Sequence, residues 1–313
     1  MQYRQLGASG VRVSAVGLGT NQFGGKVDQA GVDAIIAGAL DLGINFIDTA
    51  DVYTQTRSEE TLGNALKGRW QQVVLATKGF NKTGDGPNDR GASRYHLINA
   101  VDASLKRLQS DHIDLYQIHR WDDSTPIDES LRALDDLVRS GKIRYIGASN
   151  FAAWQLARAN LLAELRGWSP FVSVQPHYHM LERGIEQELL PYCNAYNVGI
   201  LPYFPLAGGF LTGKYRRGDP APTSARAAGI QERYFNDHGW AVLDALAAVA
   251  AEHGAAPAQV ALAWLLARPT IASPIVGANT PEQLAASLGA ADMPLSADQI
   301  ARLDAASAWQ SKS

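Results

Sequence analysis

Cysteine is nearly absent. Cys193 is the only one in 313 residues, so no internal disulfide can form and a reducing compartment is expected. Neither sign of charge dominates. Against 28 Lys and Arg stand 31 Asp and Glu, a formal net charge of -3, which gives no reason to expect nucleic acid or an anionic membrane as partner. No stretch approaches the ~20 apolar residues of a membrane helix. The opening Met1-Gln2-Tyr3-Arg4-Gln5-Leu6 lacks the apolar run of a signal peptide. A cytoplasmic location is the expectation. Two phosphate-binding signatures are also missing. Gly17-Leu18-Gly19-Thr20-Asn21-Gln22 holds only the first two glycines of G-x-G-x-x-G, and there is no P-loop.

What is present is a rhythm. Short apolar runs start near Ala15, Ile44, Val73, Ile113, Arg144, Phe171, Val198 and Ile271, eight in all. Amphipathic stretches separate them. The first runs from Asp28, with Val32, Ile35, Ile36, Ala39 and Leu42 on one face and Gly43 as its stop. Others cover about Ser58 to Leu66 with Ser58 as N-cap, Ser93 to Leu108, Pro126 to Ser140, Ala152 to Leu165 and Gly184 to Tyr196. Continuous apolar strands alternating with helices predict a parallel sheet covered by helices. Eight such units predict an α/β fold of the (β/α)8 TIM-barrel type, whose site lies at the strand C-terminal ends. Tyr3 to Leu6 and Val11 to Ser14 flank a Gly/Ser turn and predict an N-terminal β-hairpin. Helices opening at Pro281 and covering Asp298 to Ala306 are extra C-terminal elements. Residues 1–313 read as one domain. The exception to the rhythm is a long Gly/Pro/Arg-rich insertion, Gly208 to Gly239, after the seventh strand; loops of this length are usually functional or disordered.

The strand ends carry the chemistry: Asp48, Lys78, His119, Ser149-Asn150, Gln175 and Tyr203, with Tyr53 just past the second. A carboxylate ending a buried strand is costly without a partner. A free tyrosine, with pKa near ~10, is a poor proton donor at neutral pH. A nearby ammonium favours the phenolate and so lowers that value, and a carboxylate can hold the ammonium. Histidine can polarise a carbonyl oxygen. Tyr53, Lys78, Asp48 and His119 thus make a general acid with its tuning group, orienter and polarising partner. Singly, each has a blander reading as a capping or packing residue. Jointly, at separate strand ends, they point to catalysis.

These motifs resemble those of the aldo-keto reductases over essentially the whole chain. Gly43-Ile44-Asn45-Phe46-Ile47-Asp48-Thr49-Ala50 to Tyr53, then Ser58-Glu59-Glu60-Thr61-Leu62-Gly63, is similar to the first signature of that family. Ala76-Thr77-Lys78, Asp114-Leu115-Tyr116-Gln117-Ile118-His119 and Ile146-Gly147-Ala148-Ser149-Asn150-Phe151 resemble later ones. The resemblance implies the tetrad Asp48, Tyr53, Lys78 and His119, with no metal. It further implies hydride transfer from NADPH, or NADH, to a small-molecule aldehyde or ketone whose oxygen Tyr53 protonates. It also implies that Ser149, Asn150 and Gln175 bind the nicotinamide carboxamide, that Tyr203 stacks on its ring, and that Gly19 and Thr20 approach the cofactor. Pro205 to Tyr215 resembles the pyrophosphate belt of the branch holding potassium-channel β-subunits and bacterial reductases. Pro205, Leu206, Ala207, Gly209, Leu211 and Lys214 are its implied contacts, with Arg226 as a second cation.

The implied adenosine segment holds Gly277, Gln283 and Ser287. Here the chain departs from the family: Ala286-Ser287 replaces Glu-Asn, and Asn279 stands where related reductases often place arginine. A ribose 2'-phosphate suits an arginine fork. Phe204 replaces the small residue usual before Pro-Leu. Phe23, Phe80, Trp121 and Trp240 are candidates for an aromatic substrate pocket. Two other enzyme classes fit less well. His177-Tyr178-His179 could suggest a metal hydrolase, but the first and eighth strands end in Gly19-Thr20 and Gly277-Ala278 and add no ligands. A short-chain dehydrogenase is excluded because no tyrosine is followed four residues later by lysine.

Overall fold

The computed structural model describes residues 1–218 and 225–308, with the backbone alone for 225–227. A two-stranded antiparallel hairpin, β1 (Tyr3–Gln5) and β2 (Arg12–Ser14), opens the chain. Then come β3 (Gly17–Gly19), β4 (Phe46–Asp48), β5 (Val74–Gly79) and β6 (Ile113–Ile118). They are followed by β7 (Ile143–Ser149), β8 (Phe171–Gln175), β9 (Gly199–Ile200) and β10 (Ile275–Gly277). These eight pair in parallel in the order β10-β3-β4-β5-β6-β7-β8-β9. Parallel bridges Ile200–Ile271 and Tyr203–Ile275 carry the ladder from β9 round to β10. The sheet closes, and the fold is the (β/α)8 barrel.

Helices α1 (Gln29–Asp41), α2 (Arg57–Ala65), α3 (Arg94–Leu108), α4 (Ile127–Arg139), α5 (Ala153–Arg166) and α6 (Leu189–Tyr196) return the chain between successive strands. The helical face of α4 shows why these segments fold so: Ile127, Leu131, Leu134 and Leu137 recur every three or four residues and all are buried. Four helices precede or follow β10 outside that alternation: α7 (Ala225–Tyr234), α8 (Asp237–His253), α9 (Pro257–Leu266) and α10 (Pro281–Leu288). The last is α11 (Ala297–Ala306).

Two apolar clusters result. One lies between barrel and helices. The other fills the barrel and includes Phe46, Ala76, Leu115, Leu201 and Ala272, with Leu6 and Val13 of the hairpin packed into it from below. Side chains on a strand alternate between faces. The same parity that aims Phe46, Ala76 and Leu115 inward therefore aims Asp48, Lys78 and Gln117 inward one layer higher.

Several local expectations change. Ser58 is not the cap of α2; Thr56 holds that place with no side-chain cap bond, and Ser58 is buried. Its hydroxyl donates to Thr20 O at 2.9 Å and meets Thr49 Oγ1 at 3.0 Å, knitting the first and second strand ends. Leu42 is exposed because α1 ends one residue before it. The expected helix 184–196 is split into a 3-10 turn, Gly184–Glu186, and α6. Within the insertion, a 3-10 segment (Ala207–Thr212), α7 and the start of α8 are ordered.

Candidate active site

β4 and β5 deliver the centre of the site. Lys78 Nζ donates to Asp48 Oδ1 at 2.6 Å, to Thr49 O at 2.8 Å and to the Tyr53 hydroxyl at 3.3 Å. The Lys78 side chain has no exposed surface and that of Asp48 only 3%. The remaining carboxylate oxygen, Oδ2, accepts from Gln175 Nε2 at 2.8 Å and Gln117 Nε2 at 3.1 Å. Asp48 is thus held by three donors from three other strands, β5, β6 and β8. A buried ion pair of this kind stands only when its remaining valences are met, and here they are.

Tyr53 sits on the turn after β4. Thr54, Gln55 and Thr56 all take left-handed φ values, +49°, +58° and +73°, a conformation strained by about 1–3 kcal/mol for each non-glycine residue. Thr54 Oγ1 donates to Phe23 O at 2.6 Å and pins the turn. The Tyr53 phenol lies above its ordinary pKa because burial dominates; the Lys78 ammonium pulls it down but does not win. That corrects the expectation of a net lowering. The ammonium's role is to oppose the burial penalty on the phenolate. Lys78 itself is raised: burial alone would lower it, but the charges of Asp48 and Tyr53 together outweigh that.

His119 follows β6 and faces Tyr53 edge-on, with ring centroids 6.1 Å apart. Burial, with Lys78 and Arg120 adding to it, lowers its pKa to about 3. The ring is neutral at physiological pH. Asn81 Nδ2 lies 3.0 Å from His119 Nδ1. An amide nitrogen can only donate, so Nδ1 accepts and the imidazole proton is on Nε2.

Asp51, also buried, has both carboxylate oxygens without a hydrogen-bond partner. Burial, then the charge of Glu59, raises its pKa to about 8.

A cavity of about 1060 Å³ runs along the C-terminal end of the barrel. Asp48, Tyr53, His119, Ser149, Asn150, Gln175 and Tyr203 line one part, with Gly19 and Thr20 alongside. The polar residues here are already wired together. Ser149 Oγ donates to Gln175 O at 2.9 Å, Asn150 Nδ2 to His119 O at 3.1 Å, and the Tyr203 hydroxyl to Asn150 Oδ1 at 2.9 Å. Further along lie Pro205, Leu206, Gly209 and Lys214, then Gly277, Gln283 and Ser287. Gly209, at φ +105°, is a backbone that other residues rarely adopt, and an added Cβ would come within 3.3 Å of Lys214 Nζ. Gln283 Oε1 accepts from Asn279 N at 3.0 Å, folding the segment back on itself.

Not every expected contact reaches the cavity. Ala207 and Leu211 are buried in the outer core, and the Arg226 side chain lies outside the described residues. Lys78 is beneath the wall. The aromatic pocket expected from Phe23, Trp121 and Trp240 does not form: Phe23 is in the core, Trp121 packs on Phe151, and Trp240 joins Phe210 and Phe235. Phe80 borders a separate pocket. Phe204, at φ +50°, does line the cavity.

Gln117, Asn81 and Arg120 were not singled out from sequence. Gln117 carried a signal, a lone amide two residues before His119 on the buried strand β6. Among the described residues no group of three or more His, Cys, Asp and Glu side chains is placed to hold a metal, and no helix is long and apolar enough to cross a membrane.

The comparisons with known proteins agree with this geometry. The model of the Aldo/keto reductase family matches residues 15–308. The chain is 39% identical to an uncharacterized oxidoreductase, YrpG, of Bacillus subtilis (strain 168), covering 97% of this chain and 95% of that protein. It is 36% identical to a probable voltage-gated potassium channel subunit beta of Oryza sativa subsp. japonica, over 94% and 92% of the two chains. Identity is also 36% to the versiconal hemiacetal acetate reductase of Aspergillus parasiticus, over 97% and 96%. A closed barrel with this constellation at its C-terminal end and a family match over nearly its whole length place the chain in the aldo/keto reductase family.

Proposed function

We propose that the chain is a carbonyl reductase taking an aldehyde or ketone to the alcohol, reversibly, with NADPH or NADH as reductant. One observation carries this reading: the unbroken line Asp48–Lys78–Tyr53, at 2.6 and 3.3 Å, ending beside neutral His119 at the cavity.

The residues present fit a nicotinamide dinucleotide. Tyr203 offers a ring face to the nicotinamide, and Ser149, Asn150 and Gln175 offer amide and hydroxyl groups to its carboxamide. The Gln175 nitrogen is committed to Asp48, so its oxygen is the group left for a ligand. The bare backbone at Gly209 and the Lys214 ammonium suit a pyrophosphate. Gly277, Gln283 and Ser287 border the adenosine end. The bound dinucleotide supplies the hydride. Tyr53 gives its proton to the carbonyl oxygen, Lys78 stabilises the phenolate left behind, and Asp48 holds Lys78 in place. The His119 Nε2–H hydrogen-bonds the same oxygen and polarises it, keeping its own proton. Among the described residues the cations on the cavity wall are Lys26, Arg120 and Lys214; the 277–287 segment adds none.

Titration with NADPH and NADH, following cofactor fluorescence, tests the reading. Micromolar binding of either, with steady cofactor oxidation on adding a simple aldehyde, supports it. Failure to bind both sinks it. Tight binding without turnover would instead favour a non-catalytic, cofactor-sensing subunit.

A further inference from the structure

The His177–Tyr178–His179 segment plays no part in the mechanism above, yet it is built with care. His179 is fully buried. Leu181 N–H donates to His179 Nδ1 at 3.1 Å, so the proton of the neutral ring is on Nε2. That nitrogen lies 3.1 Å from His177 Nε2 and 3.3 Å from the Tyr234 hydroxyl. One N–H is therefore shared between His177, which accepts at Nε2 and carries its own proton on Nδ1, and Tyr234 of α7. The His177 ring stacks on Tyr203, with planes 3° apart and centroids at 5.1 Å. A parallel bridge between His177 and Tyr203 fixes the two backbones as well.

Tyr203 thus has His177 against one face while it lines the cavity. At its other end the relay reaches α7, whose Ile230 also lines the cavity, beside Gly208. We infer that His177, His179 and Tyr234 are positioning residues that set the tilt of the Tyr203 ring under the nicotinamide and tie α7 to it. This rests on the proposed cofactor site.

The pair is a lock for neutral rings. A proton on His177 Nε2 would face the Nε2–H of His179, and His179 cannot switch tautomer while Leu181 N–H occupies Nδ1. Glu182 favours a charged His177; Arg233 opposes it, and burial decides, lowering its pKa. The aromatic neighbours of His177 are His179 and Tyr203, with Phe204 edge-on.

The test uses His177→Ala, His177→Phe and Tyr234→Phe in the full chain, with NADPH and NADH as probes and bound-cofactor fluorescence as readout. Wild type is titrated first. If it binds neither cofactor, the site reading itself falls. If it binds, His177→Ala is expected to weaken affinity roughly 3- to 10-fold, the size of an aromatic pair, and to shift the bound-cofactor emission. His177→Phe, which keeps a flat ring, should restore affinity. Tyr234→Phe, which removes one hydroxyl, should speed cofactor release without changing the carbonyl KM. A folded His177→Ala that binds as tightly as wild type overturns the inference, as does equal loss in Ala and Phe. Should His177→Ala not fold, an unchanged release rate in Tyr234→Phe overturns it.

Discussion

Lys78 Nζ lies 2.6 Å from Asp48 Oδ1, and both side chains are sealed within the barrel. Removing one partner strands the other. Lys78→Met should cost about 3–5 kcal/mol, the typical result of leaving a buried charge unpaired. Adding Asp48→Asn should recover most of that stability without recovering turnover. Urea unfolding beside aldehyde reduction checks both. A double variant no more stable than Lys78→Met would show that the pair is not what the barrel must satisfy.

Tyr53→Phe keeps the ring and deletes the proton. Turnover should fall by about 10²- to 10⁴-fold, the range for a lost general acid, while cofactor affinity stays near wild type. Retained turnover would remove Tyr53 from the mechanism.

The pKa of His119, lowered to about 3, sets a pH expectation. A depressed histidine stays neutral above that value, so kcat/KM should show no acidic limb near pH 6.5 from this residue. A limb there that disappears in His119→Asn would contradict the neutral donor.

Asp51 should make stability fall with rising pH. Its folded pKa, about 8, lies above the unfolded carboxyl value of ~3.9. The fold therefore holds the proton more tightly than the unfolded chain does. Its contribution is full below about pH 4 and is lost as pH rises to about 8. Asp51→Asn, uncharged throughout, should raise Tm relative to wild type at pH 8 and leave it little changed at pH 4. Equal Tm differences at both pH values would refute this.

Asn279→Arg would place a fork on a wall segment that contributes no cation. NADPH affinity should rise relative to NADH by about 10-fold, as for a charge-assisted pair. Parallel fluorescence titrations decide it, and an unchanged ratio would place the 2'-phosphate elsewhere.

Most of the barrel was legible because strand–helix alternation is a periodic signal, and the strand ends follow from it. Asp48, Lys78 and His119 sat at those ends in plain view. What escaped depends on contacts distant in sequence. Ser58 looks like a cap because it is a serine before a helix, but Thr20 and Thr49 bring it inward. Phe23 and Trp240 look like pocket walls, but the apolar cluster around Phe210 and the outer core absorb them. The sign of the Tyr53 shift needed the depth of its burial, which no spacing rule encodes. Gln117 was hidden by its neighbours: inside a buried strand, an amide draws notice only once parity aims it at Asp48.

That parity has a consequence for how the molecule comes apart. Asp48, Lys78, Gln117 and Gln175 hang from four strands of one closed ladder, β4, β5, β6 and β8, with β7 between the last two. None can drift from the others by local fraying, because each strand is held on both sides. This polar layer and the barrel therefore belong to a single cooperative unit, whose amides are expected to exchange through global opening.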